Sequence, residues 1–100
     1  MDLPTVATAV ERAESGGDWL ARNGSHVGLM QVGTRWSAWP TVLLYLPTVN
    51  RWEGRRLLRY WHRRAGGDWL RAVAAYRCGN AGLQLKCGAT YARAVLLTVR

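Results

Sequence analysis

Acid is scarce in this hundred-residue chain, with only six Asp and Glu, so any proton-transfer chemistry must draw on a very short list. Phenylalanine is absent, and the aromatic content is six Trp and four Tyr. No stretch approaches the ~20 consecutive apolar residues that a membrane-spanning helix needs, which argues against a helical span. Strand signals are weak throughout, with no hairpin dipeptide flanked by alternating residues, which argues against an all-β sandwich or barrel. There are two cysteines, Cys78 and Cys87, nine positions apart. Without further Cys or paired His they make a poor zinc site, so no metal is expected, and no cofactor motif is present. Their separation permits a loop-closing disulfide and equally two reduced thiols, since the redox compartment is not written in the sequence. The start, Met1-Asp2-Leu3-Pro4, has neither the basic nor the apolar region of a secretory signal. The expectation is a signal already removed, or another route to the place of work.

What is present is a core. Hydrophobic residues make up 49% of the chain, enough for one folded domain over residues 1–100. The net charge is +8, and thirteen of the fourteen basic residues are Arg, suited to forked contacts with phosphate or carboxylate. Such a balance fits a solvated basic face, or a polyanionic partner such as nucleic acid, an anionic membrane surface or a bacterial wall. The pentapeptide GGDWL occurs twice, at Gly16 to Leu20 and at Gly66 to Leu70. Sliding one half of the chain over the other aligns almost nothing else, with Glu14 falling on Arg64 and Gln31 on Ala81, so a repeat architecture is excluded. Paired glycines end helices and a following Asp caps the next one, so each copy reads as punctuation.

Periodicity predicts a helical domain. Val6, Ala9, Val10 and Ala13 recur at helix spacing behind Asp2 and Pro4, predicting a helix over Leu3–Ser15. Asp18 to Val27 is polar and turn-rich, and the apolar piece Thr41 to Leu46, bracketed by Pro40 and Pro47, is expected to be helical. Gly54, Leu57, Leu58, Trp61 and Ala65 form one stripe with Arg51, Arg55, Arg56, Arg59 and Arg63 off it, predicting an amphipathic helix from about Val49 to Ala65. Asp68 then caps a helix carrying Leu70, Val73 and Ala74, and Tyr91, Val95 and Val99 mark a last one.

The six acids can be taken one by one. Asp2 and Asp68 read as caps, Glu53 as a helix-surface charge beside Arg55 and Arg56, and Glu11 as a solvated partner for Arg12 or Arg56. Glu14 differs, because it lies one turn beyond Val10 at the border of the apolar face, just before Ser15-Gly16-Gly17. A carboxyl half-buried against apolar side chains has its charged form penalised and is suited to donate a proton near neutral pH. On its own, a Glu at a helix end is more often a structural charge than an acid catalyst.

The order of short motifs adds to this. Glu14-Ser15-Gly16, Gly28-Leu29-Met30-Gln31-Val32, Ala75-Tyr76 with Gly79, and Tyr91 followed by Val95 resemble the lytic transglycosylases of the goose-lysozyme-like superfamily. Val49-Asn50, Gly54, Leu57 and Leu58 resemble that family's intervening helix, and the likeness runs from about Val6 to Leu96. It implies a mainly α, lysozyme-like domain with little strand and a substrate cleft. The implied activity is cleavage of peptidoglycan between N-acetylmuramic acid and N-acetylglucosamine, with Glu14 as general acid and then base. The muramyl 6-hydroxyl replaces water as nucleophile, so a single enzyme carboxyl suffices and the substrate acetamido group supports the cationic centre. The resemblance places Gln31 and Met30 beside the acid, Tyr76 and Tyr91 near the cleft, and Ser15 at the substrate. Read without it, Met30 is core filler, either Tyr a core aromatic, and Ser15 a helix cap.

The chain also departs from the family. Arg77 stands where an Asn usually follows the Ala-Tyr pair, and a Cys78 to Cys87 disulfide is a candidate to pin that loop instead. His26 has no counterpart and reads as an ordinary loop residue. The expected partner is the glycan strand of peptidoglycan, met by a monomer in the periplasm or cell wall, with a phage lysin or virion-associated enzyme as the expected setting. Two rivals remain: a muramidase using water with Asp18 to position it, and a non-enzymatic basic module binding nucleic acid through Arg51, Arg55, Arg56, Arg59, Arg63 and Arg64.

Overall fold

Helix α1 (Leu3–Ser15) begins and ends where the spacing predicts in the computed structural model, which describes residues 1–99. Asp2 accepts the Thr5 backbone N–H at 2.9 Å, satisfying one orphan donor, and Pro4 occupies the first turn where no N–H is needed. Gly16 closes the helix in the left-handed region, at φ 61°, returning its N–H to the Arg12 carbonyl. Val6, Ala7, Ala9 and Val10 form its buried face.

The next segment contains a small sheet, in keeping with the little strand that the resemblance implies, though periodicity did not locate it. Strands β1 (Arg22–Asn23), β2 (His26–Val27) and β3 (Val32–Gly33) are antiparallel in that order, pairing Asn23 with His26 and Val27 with Val32. Each is two residues long, so alternation has no room to show. The turn signal was nonetheless present, since Gly24-Ser25 links β1 to β2. The Thr41 to Leu46 piece also differs from expectation. It contains one short 3-10 turn, Leu43–Tyr45, because Leu46 precedes a proline and is held extended at ψ 126°.

Helix α2 (Pro47–Arg64) starts two residues ahead of the predicted boundary, with Pro47 in its first turn. It buries Gly54, Leu57, Leu58 and Trp61 as the stripe requires, and also Asn50 and Glu53. Glu53 is therefore not a surface charge: it is 1% exposed and accepts hydrogen bonds from Arg56 Nε and Ser37 Oγ. Glu11 is also paired differently from expectation. Its two oxygens take a forked contact from Arg51, at 2.9 and 3.1 Å, tying α1 to α2.

Asp68 caps α3 (Trp69–Cys78) by accepting from Leu70 N at 2.9 Å. The same residue type after the first glycine pair, Asp18, accepts from Leu20 N at 3.0 Å but starts only a turn, because the chain there runs on into β1. The short α4 (Asn80–Leu83) and then α5 (Ala89–Leu97) follow, with Val99 packing on the core just beyond the helix end. Cys78 and Cys87 are disulfide-bonded, closing the loop between α3 and α5.

Helix α3 packs between α2 and α5, while α1 lies against α2 and α5. Val6, Val10, Val27, Met30, Val32, Leu44, Leu58 and Val73, all 0% exposed, meet in one cluster. At roughly 1.5–3 kcal/mol for each fully buried Val, Leu or Met, this cluster supplies the main driving force. It also sets the end of α1, the β2–β3 loop and the end of α3 around a common opening. No helix among the described residues is long and apolar enough to cross a membrane.

Candidate active site

Two adjoining cavities, of about 470 and 190 Å³, share His26, Gln31, Tyr76 and Arg77 and so form one cleft. Glu14, Arg22 and Asn23 line the larger lobe; Arg35, Trp36 and Trp61 line the smaller. The larger lobe lies where the last turn of α1, the β1–β2 hairpin and the end of α3 converge.

Glu14 sits half-buried on that last turn. Its Oε2 accepts a hydrogen bond from the Tyr91 hydroxyl of α5, and among the described residues it is the single carboxyl lining the cleft. Burial, and then the charge of Glu14, push the Tyr91 hydroxyl well above its ordinary value near 10, so it stays protonated and donates. The Arg77 guanidinium lies 4.4 Å from the centre of the Tyr91 ring, a cation–π contact that holds Tyr91 from its other side. Tyr76, also raised by burial first and by Glu14 second, donates to the Met30 carbonyl at 2.6 Å.

The Gly28-Leu29-Met30-Gln31 tetrapeptide is the loop between β2 and β3, and Asn50 of α2 holds it from below. Asn50 is 0% exposed, accepts from Met30 N at 2.7 Å and donates to the carbonyls of Val27 and Leu44 at 2.8 and 2.7 Å. Gly28 is required here twice over. Its φ is +80°, and a Cβ would lie 2.2 Å from Asn50 Nδ2. The loop ends with Gln31 at φ 50°, a left-handed conformation unusual for a non-glycine residue. Its amide nitrogen donates to the carbonyls of Ala21 and Gly28, both at 3.0 Å, which fixes the side chain and leaves the amide oxygen as its hydrogen-bonding group for a ligand.

The structure therefore brings Glu14, Gln31 and Tyr76 to one cavity, with Tyr91 bonded to Glu14. Met30 and Ser15 are placed otherwise. Met30 is 0% exposed, and its sulfur occupies the space that a side chain at Gly54 of α2 would fill, so its side chain is core. Ser15 Oγ donates to the Glu11 carbonyl and accepts from Gly17 N, both at 3.2 Å, as a helix-end residue does. Sequence reasoning missed His26, exposed on β2 and lining both lobes, and it missed Asn50 as the loop's anchor. The signal for His26 was its place between the Gly24-Ser25 turn and Gly28.

Among the described residues, no group of three or more His, Cys, Asp or Glu is placed to hold a metal ion. No curated protein and no solved structure matches the chain. The family model of the transglycosylase SLT domain matches residues 1–95, a span that takes in α1 with Glu14, the Gly28 to Gln31 loop, Tyr76 and Tyr91. The chain belongs to that family, the lytic transglycosylases of the lysozyme-like superfamily.

Proposed function

We propose that Glu14 is the single acid/base of a peptidoglycan lytic transglycosylase that cleaves the β-1,4 bond between N-acetylmuramic acid and N-acetylglucosamine. One observation carries this reading: among the described residues Glu14 is the lone carboxyl lining the cleft, and a neutral Tyr91 hydroxyl holds one of its oxygens. The other oxygen has no protein partner among the described residues and is left to meet substrate. In the first step protonated Glu14 gives its proton to the glycosidic oxygen, the C1–O bond breaks and the N-acetylglucosamine side departs as an alcohol. In the second step the Glu14 carboxylate takes the proton of the muramyl 6-hydroxyl as that oxygen bonds to C1. The product is a 1,6-anhydro sugar, no water is consumed, and Glu14 ends protonated for the next cycle.

The rest of the site suits this assignment. The free Gln31 oxygen is an acceptor for an acetamido or hydroxyl hydrogen, while Tyr76, spent on the Met30 carbonyl, braces the loop that presents it. Met30 supports from below rather than touching sugar. Asp18, the residue available to position water in a muramidase, is exposed, tied to Leu20 N and not among the residues lining the cleft. The exposed Arg face of α2 supplies attraction to an anionic wall, which salt should weaken. Such an enzyme acts in the periplasm or cell wall. Muropeptides released by purified protein test the proposal: anhydro products, one water lighter than those of a muramidase, support it, and reducing-end products contradict it.

A further inference from the structure

We propose that the smaller lobe of the cleft is a carboxylate-recognition subsite, in which Arg35 and Arg77 take the free carboxylates of the peptide borne by the muramyl sugar. This rests on the peptidoglycan reading above and adds to it a preference for peptide-bearing over bare glycan strands.

The lobe is continuous with the Glu14 cavity through His26, Gln31, Tyr76 and Arg77. Among the described residues it has no acidic lining residue, while Arg35 and Arg77 both line it. Both Arg35 and Arg77 are exposed, and the ion pairs among the described residues use Arg51, Arg56 and Arg71 instead. A neutral sugar ring gives two unpaired cations nothing to neutralise, whereas a carboxylate meets the guanidinium fork with two parallel charge-assisted bonds. The covalent chemistry of the substrate brings carboxylates close to this lobe, which adjoins the Glu14 cavity. The peptide hangs from the same muramyl residue whose glycosidic bond Glu14 protonates, so a strand seated at Glu14 carries its acidic groups into the neighbouring lobe.

The two arginines are held at different points of the fold. Arg77 lies in the last turn of α3, 4.4 Å from the centre of the Tyr91 ring and next to the disulfide-bonded Cys78. Arg35 sits in the 3-10 turn Thr34–Trp36, whose Trp36 ring meets Trp61 edge-on at 6.0 Å and gives the lobe an apolar wall for peptide. The Arg77 guanidinium, held on the Tyr91 ring, loses less freedom on binding than a free surface side chain does, which favours selection over mere attraction.

The test uses soluble glycan oligomers of equal length at fixed ionic strength, in three forms: free-acid peptides, the same peptides with carboxylates amidated, and peptides removed. Wild-type kcat/KM should be about tenfold higher for the free-acid form than for either of the others, the worth of one charge-assisted pair. Arg35→Gln and Arg77→Gln should each reduce that ratio several-fold, while Arg93→Gln, on the exposed face of α5 away from the cleft, should preserve it. Equal wild-type cleavage of all three forms leaves the enzyme assignment standing and removes the subsite. A ratio that falls as far in Arg93→Gln as in Arg35→Gln shows general charge attraction and overturns the proposal. Failure to cleave any form overturns the activity, and this inference with it.

Discussion

The Tyr91 hydroxyl donates its hydrogen bond to Oε2 of Glu14, joining the last helix to the last turn of the first across 77 positions of sequence. This one contact explains why a helix-end carboxylate here is more than a surface charge. It fixes the carboxyl rotamer, and because Tyr91 is raised above its ordinary value it remains a donor at every pH at which the fold would be assayed.

Tyr91→Phe should therefore leave the fold intact and slow cleavage. A hydrogen bond to a charged group contributes about 1.5–3 kcal/mol, so the expected loss in kcat is about 10- to 100-fold. The expected pH profile of wild type has no limb from Tyr91 below pH 10. Kinetics of both proteins on solubilised peptidoglycan check this, and an unchanged kcat in Tyr91→Phe would show that the bond does not position Glu14.

Asn50→Ala should unfold the loop more than it empties the core. Removing the side chain strands the Met30 N–H and the carbonyls of Val27 and Leu44, which are met at 2.7, 2.8 and 2.7 Å. Each buried unsatisfied group costs about 1–3 kcal/mol, so a loss of about 3 kcal/mol or more is expected in urea unfolding. A loss below 1 kcal/mol would mean that water or a shifted loop satisfies these groups.

Glu53 sets an acid limit to stability. Burial opposes its charge, but the hydrogen bonds from Arg56 and Ser37 outweigh burial and hold the carboxyl below its ordinary value near 4.5. A lowered folded-state value means that its contribution is complete above pH 4.5 and is lost as pH falls through the folded value. Glu53→Gln should cost about 1 kcal/mol at neutral pH, because Arg56, 42% exposed, loses its ionic partner but keeps water, and should flatten the fall in stability below pH 4.5. Thermal melts from pH 2 to pH 7 read both effects.

Replacing Cys78 and Cys87 together by Ala should lower Tm by about 10 °C or more. A disulfide closing a loop of nine positions stabilises by about 2–3 kcal/mol, and each kcal/mol shifts Tm by about 4–8 °C in a domain of this size. Calorimetry of the two proteins side by side decides it.

Much of this was legible in the residues, for identifiable reasons. Helix α1 could be bounded to the residue because Asp2, Pro4 and Gly16 each carry local backbone chemistry. The stripe of α2 showed through its long period, and the candidate set Glu14, Gln31, Tyr76 and Tyr91 was drawn from motif order rather than from geometry. Strands of two residues left no period to read. Glu53 looked like a surface charge because burial of an acid depends on Ser37, sixteen positions away, and no local pattern reports it. Arg77 was noticed as a departure, but its stacking on Tyr91 needed α3 and α5 side by side. Asn50 was hidden for the same reason, since its three partners lie outside its own helix.

In the proposed reaction Glu14 alone supplies and retrieves the proton. Mass spectrometry of muropeptides released by wild type and by Glu14→Gln, with circular dichroism confirming that both are folded, tests it most directly. A general acid/base contributes about 10²–10⁴-fold, so in the time wild type releases its anhydro product fully the variant should release about 1% of it or less. Anhydro muropeptides from Glu14→Gln at a rate near that of wild type would rule Glu14 out as the acid/base.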